Sequence, residues 1–408
     1  MVGTKAYNKY DVFIFIIISS LIFGVMGGAL MPVRILGLLL SPFLFLRINR
    51  CWDYVRKYVY IFLFFLFFCL ISLLWTIDTE QASKELFYYP THFLLFLEIL
   101  VFSRFSINPL KSLSTSWVLG VGLTLIVALW EIYTGNHLSQ SVFDAEDTAM
   151  NVGGQHLERP FASVTFGNFN GYVSYLCLAM PFIFYFILYN QNRILQVAVS
   201  VIMLFVTVAV MLVNASRGGL LTILIMAAVF LFMTKRSPYK TIMAIAVILF
   251  VVFFVLPQKE TLFFAISLRA QGEGLYVDNS RLEIWANCLQ VLSDYLYVGS
   301  GIGSALAALK HIDSFYTPLP HNMLIELLMQ YGVLFFLIFI VYLIRLFFRG
   351  IRSKDKNIKI LLLMAIVAFP AYSIIDSRYL LRPDVYIAFA CYTVFAYIDK
   401  IRYKISDT

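Results

Sequence analysis

Three residues carry side chains with which this sequence can do chemistry: Arg217, Arg281 and His321. Arg217 stands in Asn214-Ala215-Ser216-Arg217-Gly218-Gly219, between two long apolar stretches. A helix starting there points its N-terminal amides out of the membrane, and amides and guanidinium together can hold a phosphate. A snorkelling interfacial arginine is the competing account. Arg281 follows Ser280, which with Glu283 forms a capping-box pattern. A cation at a helix start opposes the positive end of the dipole, so a nearby anion would relieve it, and a solvated surface arginine is the alternative. Two arginines can neutralise a diphosphate. His321, in Pro318-Leu319-Pro320-His321-Asn322, marks where the chain re-enters an apolar run through Glu326. A neutral imidazole there can take a proton from an attacking hydroxyl, with Asn322 or Glu326 orienting the ring. A capping or interfacial histidine is the plainer alternative.

Other polar groups are weaker candidates. Arg159 stands ahead of Asn168 and Asn170, and Asp376, Arg378, Arg382 and Asp384 make a set that reads as surface ion pairs worth little. Glu98 falls inside an apolar stretch, where a carboxylate is what a proton-coupled transporter would use. Gly299-Ser300-Gly301-Ile302-Gly303 superficially matches a phosphate-binding loop, but no strand precedes it, and it reads as a flexible turn. Without a nucleotide motif, an enzyme here must draw its energy from an already activated substrate.

The elements that must position these residues are membrane helices. Of 408 residues, 61% are hydrophobic and 13% charged, which excludes a soluble fold. A bilayer core needs about 20 apolar residues per helix. Twelve stretches qualify: 12–30, 33–46, 58–77, 88–103, 115–134, 168–189, 195–213, 217–233, 241–256, 324–344, 360–375 and 385–399. The first is too long for a signal peptide, although Lys5 and Lys9 precede it and Gly27-Gly28-Ala29 is small enough for cleavage. With both termini inside, roughly two thirds of the 31 Lys and Arg residues fall in inner loops. The net charge of +8 is therefore a topology signal with no nucleic-acid meaning. Cysteines at 51, 69, 177, 288 and 391 offer no external disulfide framework and no metal-ligand spacing.

Two outer loops, 135–167 and 257–323, are too long to be turns. The chain thus divides into helices one to nine (1–256), a large outer loop (257–323) and helices ten to twelve (324–408). Within the large loop, Leu282, Trp285, Leu289, Leu292 and Leu296 recur at helical spacing, predicting an amphipathic helix over the membrane surface or a cavity.

Four pieces of sequence resemble the O-antigen ligase and O-antigen polymerase superfamily of bacterial envelope glycosyltransferases. They are Arg159-Pro160-Phe161 with Phe166-Gly167-Asn168-Phe169-Asn170, Ser216-Arg217-Gly218-Gly219, Arg281-Leu282-Glu283-Ile284-Trp285 leading to Gly299-x-Gly301, and His321-Asn322 with Glu326 and Gly332. Their order and outward placement fit the family pattern over about residues 155–345. The resemblance implies an all-α, polytopic, GT-C-like fold of about 12 helices in the bacterial cytoplasmic (inner) membrane. It implies an undecaprenyl-diphosphate-linked glycan as donor, a glycan or lipid A core as acceptor, and no metal or other cofactor. Carried over to this chain, Arg217 and Arg281 would bind the diphosphate, His321 would be the general base, and Asn322, Glu326 and Arg159 would support them. A chain-length regulator or flippase is the implied protein partner.

Within that family, the Pro320-His321-Asn322 and Tyr331-Gly332-Val333-Leu334-Phe335 stretches look slightly more like capsule and exopolysaccharide polymerases, with ligation to lipid A core the alternative. A transporter or flippase is the rival of another class, since both termini inside is an ordinary topology for it. Transporters usually show two related halves with broken helices at the midplane, whereas the polar residues here gather at the outer face. A structural scaffold is third.

Overall fold

A computed structural model describes residues 7–140, 149–152, 155–158, 161–234, 273–312 and 319–399, with the side chains of 149–158 and 273–281 outside the description. The described chain is an all-α polytopic membrane protein. Five helices come first: α1 (Lys9–Ser19), α2 (Pro32–Ile48), α3 (Trp52–Ser72), α4 (Thr79–Phe105) and α5 (Pro109–Thr134). A two-stranded antiparallel hairpin, β1 (Ala149–Val152) with β2 (Gln155–Glu158), decorates the loop that follows. Then come α6 (Phe169–Tyr189), α7 (Ile194–Val213), α8 (Arg217–Met233), α9 (Glu273–Asp294) and α10 (Ala305–Ile312). The chain continues through α11 (Met323–Arg352), α12 (Lys356–Val367), the single turn α13 (Phe369–Tyr372) and α14 (Pro383–Ala396).

Six helical spans among the described residues are long and apolar enough to cross a membrane: Pro32–Ser72, Thr79–Phe105, Pro109–Thr134, Phe169–Tyr189, Ile194–Val213 and Met323–Arg352. Arg217–Met233 and Pro383–Ala396 are shorter apolar helices. The stretch 241–256 lies outside the described residues. The centre of the bundle is α6, whose apolar window is 94% buried, as expected of a helix that is hydrophobic all round. It packs against α5, α7 and α12, while α14 lies along α4. At the periphery, α2 and α3 show Leu39, Phe45, Leu46 and Phe67 outward, the face a bilayer covers.

Two of the expected helices end early, each for a local reason. α1 passes at Ser20 into a 3₁₀ turn (Ser20–Phe23), and the chain then bends away at Gly24, Gly27 and Gly28, all at positive φ. At Gly24 a Cβ would lie 2.2 Å from the Thr165 carbonyl oxygen, so the turn fits closely against the chain near residue 165. The stretch 360–375 breaks at Pro370, whose ring cannot continue the ladder, leaving α13 as one turn and residues 373–382 largely non-helical.

Candidate active site

Arg217 begins a helix, as its sequence implies. Ser216 is the N-cap of α8, its hydroxyl accepting from the Gly219 amide, and Arg217 is exposed at the first helical position. The two glycines allow close packing. A Cβ on Gly219 would lie 2.5 Å from Val173 Cγ1 of α6, and one on Gly218 would lie 3.0 Å from Ile375 Cγ1. Immediately upstream, buried Asn214 uses both ends of its amide on Ala162, accepting from its N–H at 2.8 Å and donating to its carbonyl at 2.9 Å. The next two amides, of Ser163 and Val164, donate to the buried carboxylate of Glu131 at 2.9 and 2.8 Å. The segment after Phe161 is thus bound beside the segment that ends in Arg217. Arg159 lies outside the described residues.

His321 sits in a second corner. Its backbone N–H donates to Ser377 Oγ at 3.2 Å, and the Met323 N–H donates to the Ser373 carbonyl at 2.8 Å. The preceding carbonyl, of Pro320, accepts from Trp285 Nε1 of α9 at 2.7 Å. Asn322 is the N-cap of α11, its Oδ1 taken by the amides of Leu324 and Ile325. Glu326 is buried, and its carboxylate faces the backbone N–H groups of Arg378 and Tyr379. Asn322 Oδ1 is thus occupied by the first turn of α11, while one Glu326 oxygen, Oε2, has no hydrogen-bond partner among the described residues.

Arg281 lies four residues before Trp285, and its side chain is outside the described residues. The expected capping box at Ser280 is not the helix start, because α9 begins at Glu273. The run from Leu275 to Ser280 holds no proline or glycine to stop the helix. Arg281 is consequently interior to the helix, and the argument from an unfavourable dipole does not apply to it. The buried stripe also differs from the leucine stripe. Ile284, Cys288 and Val291 pack on Ala308, Leu309 and Met329, while Leu282 and Leu289 remain 63% and 51% exposed.

One segment joins these corners. Residues 371–377, the end of α13 and the non-helical chain after it, meet Gly218 through Ile375, Met323 through Ser373 and His321 through Ser377. The start of α8 and the start of α11 therefore flank the same stretch of backbone, and α9 is tied to it at Pro320. Non-glycine residues in left-handed conformation occur at each corner: Val164 (φ 53°), Ala215 (φ 49°), His321 (φ 43°) and Arg378 (φ 55°). Each costs about 1–3 kcal/mol, and such strain concentrates at functional sites.

The set Asp376, Arg382 and Asp384 is a largely buried cluster and not the expected surface pairs. The Arg382 guanidinium reaches Asp376 Oδ2 at 2.7 Å, Asp384 Oδ2 at 2.6 Å and the Gly171 carbonyl at 3.0 Å. Burial disfavours the guanidinium charge, but Asp384 and Asp376 outweigh it and hold its pKa well above the ordinary arginine value. Gly171 opens α6, whose N-cap is Asn168, so this cluster anchors the Asn168-Phe169-Asn170 motif to the 376–384 segment.

The glycine stretch 299–303 is neither a phosphate loop nor a flexible turn. Its amides are spent inside the protein: Ser300 on the Met329 carbonyl, Gly301 on the Gln330 carbonyl, Ile302 on Ser72 Oγ and Gly303 on Glu85 Oε2. Glu85, not singled out by the sequence, is a buried carboxylate that also accepts from Gln81, Tyr89, Gln330 and Tyr331. No periodicity distinguishes it, since its partners come from three separate parts of the chain. Glu98 is buried against Gly37 on α2, with neither carboxylate oxygen hydrogen-bonded among the described residues and no site residue beside it.

Comparison with known families decides the class. Residues 202–340 match the O-antigen ligase family. This segment belongs to the O-antigen ligase and polymerase superfamily. The matched segment holds Arg217, Arg281, His321, Asn322, Glu326 and Gly332, whereas Asp376, Arg378, Arg382 and Glu85 lie outside it. No curated protein and no solved structure shows significant similarity to the chain. The chain is accordingly an O-antigen ligase-like or polymerase-like integral membrane enzyme.

Proposed function

We propose that the protein transfers a glycan from undecaprenyl diphosphate to an acceptor hydroxyl outside the cytoplasmic membrane, building polysaccharide chains. The observation that carries this is the meeting of the α8 start, with Arg217 exposed on it, and the α11 start, with His321 beside it, on residues 371–377 inside a ligase-family membrane protein. His321 takes the proton of the attacking hydroxyl as its oxygen bonds to the sugar C1. The C1–O bond to the diphosphate breaks, and its electron pair leaves with the diphosphate, whose charge Arg217 and Arg281 stabilise. The activated donor supplies the free energy.

Attachment of finished glycan to a lipid A core is the second reading, favoured by the ligase description of the matched family. A deletion strain complemented with wild type, Arg217→Ala, Arg281→Ala or His321→Ala separates the two, with protein level checked and surface glycan resolved by length. Expressed variants that make no surface polymer support the transferase. Single-repeat product identifies a polymerase, and long lipid-linked chains left unattached identify a ligase. Full complementation by all three variants removes the proposed chemistry and makes transport the better account.

A further inference from the structure

The segment Asp376-Ser377-Arg378-Tyr379-Leu380-Leu381-Arg382 carries two arginines with opposite fates. Arg382 is mostly covered, its side chain 15% exposed, and bound by two carboxylates. Arg378 is exposed, and its guanidinium makes no hydrogen bond or ion pair among the described residues. Its neighbour Ser377 accepts the His321 N–H, so Arg378 stands next to the residue that touches the His321 backbone.

Arg378 is held there against its own preference. Its backbone is left-handed (φ 55°, ψ 34°), a conformation that arginine, lacking the short side chain of asparagine, does not compensate locally. The compensation comes from Glu326, whose buried carboxylate faces the Arg378 and Tyr379 amides while Oε2 has no hydrogen-bond partner among the described residues. A buried carboxylate spent on presenting one strained, exposed arginine beside His321 is a costly arrangement for a surface residue without a ligand.

We propose that Arg378 is a third cation contacting the anionic diphosphate of the donor, and that Glu326 is the positioning residue that sets its backbone. This rests on the transferase reading above. Arg217 alone would meet the diphosphate from the α8 side, and Arg378 meets it from the His321 side.

The test is donor kinetics in membranes with an undecaprenyl-diphosphate oligosaccharide as probe. Arg378→Ala is expected to raise the apparent KM for donor roughly tenfold to a hundredfold, the range for losing a hydrogen bond to a charged group. Arg378→Lys, which keeps the charge but loses the fork, should fall between, and it serves as the readout if the alanine variant does not accumulate. Glu326→Ala should raise KM in the same direction, Glu326→Gln should recover most of it because an amide oxygen still faces the two N–H groups, and the Arg378→Ala/Glu326→Ala double variant should be no worse than Arg378→Ala in KM. A donor KM unchanged in both Arg378 variants, with Arg217→Ala and His321→Ala inactive, overturns the third cation and leaves the transferase standing. Activity surviving in Arg217→Ala and His321→Ala overturns the transferase reading itself.

Discussion

Replacing Gly332 with alanine tests how α11 is built. Gly332 breaks that helix with φ 75° and ψ −179°, a region that essentially only glycine enters. The backbones of two segments meet there: a Cβ on Gly332 would lie 2.3 Å from the Val298 carbonyl oxygen and 2.5 Å from that of Tyr297. Both obstacles are main chain, so the segments must separate, which stretches the bonds from Val333 N–H to Tyr297 O, Ser300 N–H to Met329 O and Gly301 N–H to Gln330 O. Three bonds at about 1 kcal/mol each, plus residual strain of about 1–3 kcal/mol, give a loss of roughly 4–6 kcal/mol. Were the break merely a weak point in a helix that would rather be straight, alanine would stabilise by up to about 1 kcal/mol. The two accounts therefore differ in sign. Thermal unfolding of detergent-solubilised protein, followed by tryptophan fluorescence, should show a clearly lower Tm for Gly332→Ala. A Tm equal to or above that of wild type would refute the argument.

Arg382→Ala leaves Asp376 and Asp384 buried without their cation and should cost about 3–5 kcal/mol, read as reduced accumulation and a lower Tm. Glu131→Ala strips the acceptor from the Ser163 and Val164 amides, at about 1–3 kcal/mol for each, and should loosen the segment that pairs with Asn214, measurable as increased amide exchange at 161–165. Burial, with Glu326 nearby, pushes the Cys288 thiol up to about 12, so at pH 7 only about 1 in 100,000 molecules carries the thiolate. Cys288 should therefore resist maleimide in the folded protein at neutral pH and react once the protein is unfolded. Because its pKa is raised, any reactivity in the fold should appear only as pH climbs toward that value.

The sequence shows its helices clearly because apolar length is a local property, and the start of α8 was legible from a serine cap followed by an apolar run. What it hides is long-range. The Gly299–Gly303 stretch looks flexible in one dimension, yet a Cβ at Gly303 would lie 2.3 Å from the Ala82 amide nitrogen, a fact about a neighbour more than 200 positions away. Likewise a cluster such as Asp376, Arg382 and Asp384 reads the same in sequence whether water or Gly171 faces it. The start of α9 was misplaced because a capping pattern at Ser280 is local evidence that a longer helix overrides. The family motifs pointed to the right segment, but the partners of Asn322 and Glu326 emerge only from the folded chain.

The docking of Gly299–Gly303 onto the corner between α3 and α4 also bears on modularity. Ser72, Trp75, Thr76 and Glu85, all upstream of the ligase-family segment, receive or donate the bonds that hold this loop, and Gln330 and Tyr331 bind the same Glu85. The recognisable domain is therefore not an exchangeable cartridge. A chimera grafting residues 202–340 onto foreign leading helices would need to import this corner as well, whereas the outer surfaces of α2 and α3 should accept wholesale replacement by other apolar side chains.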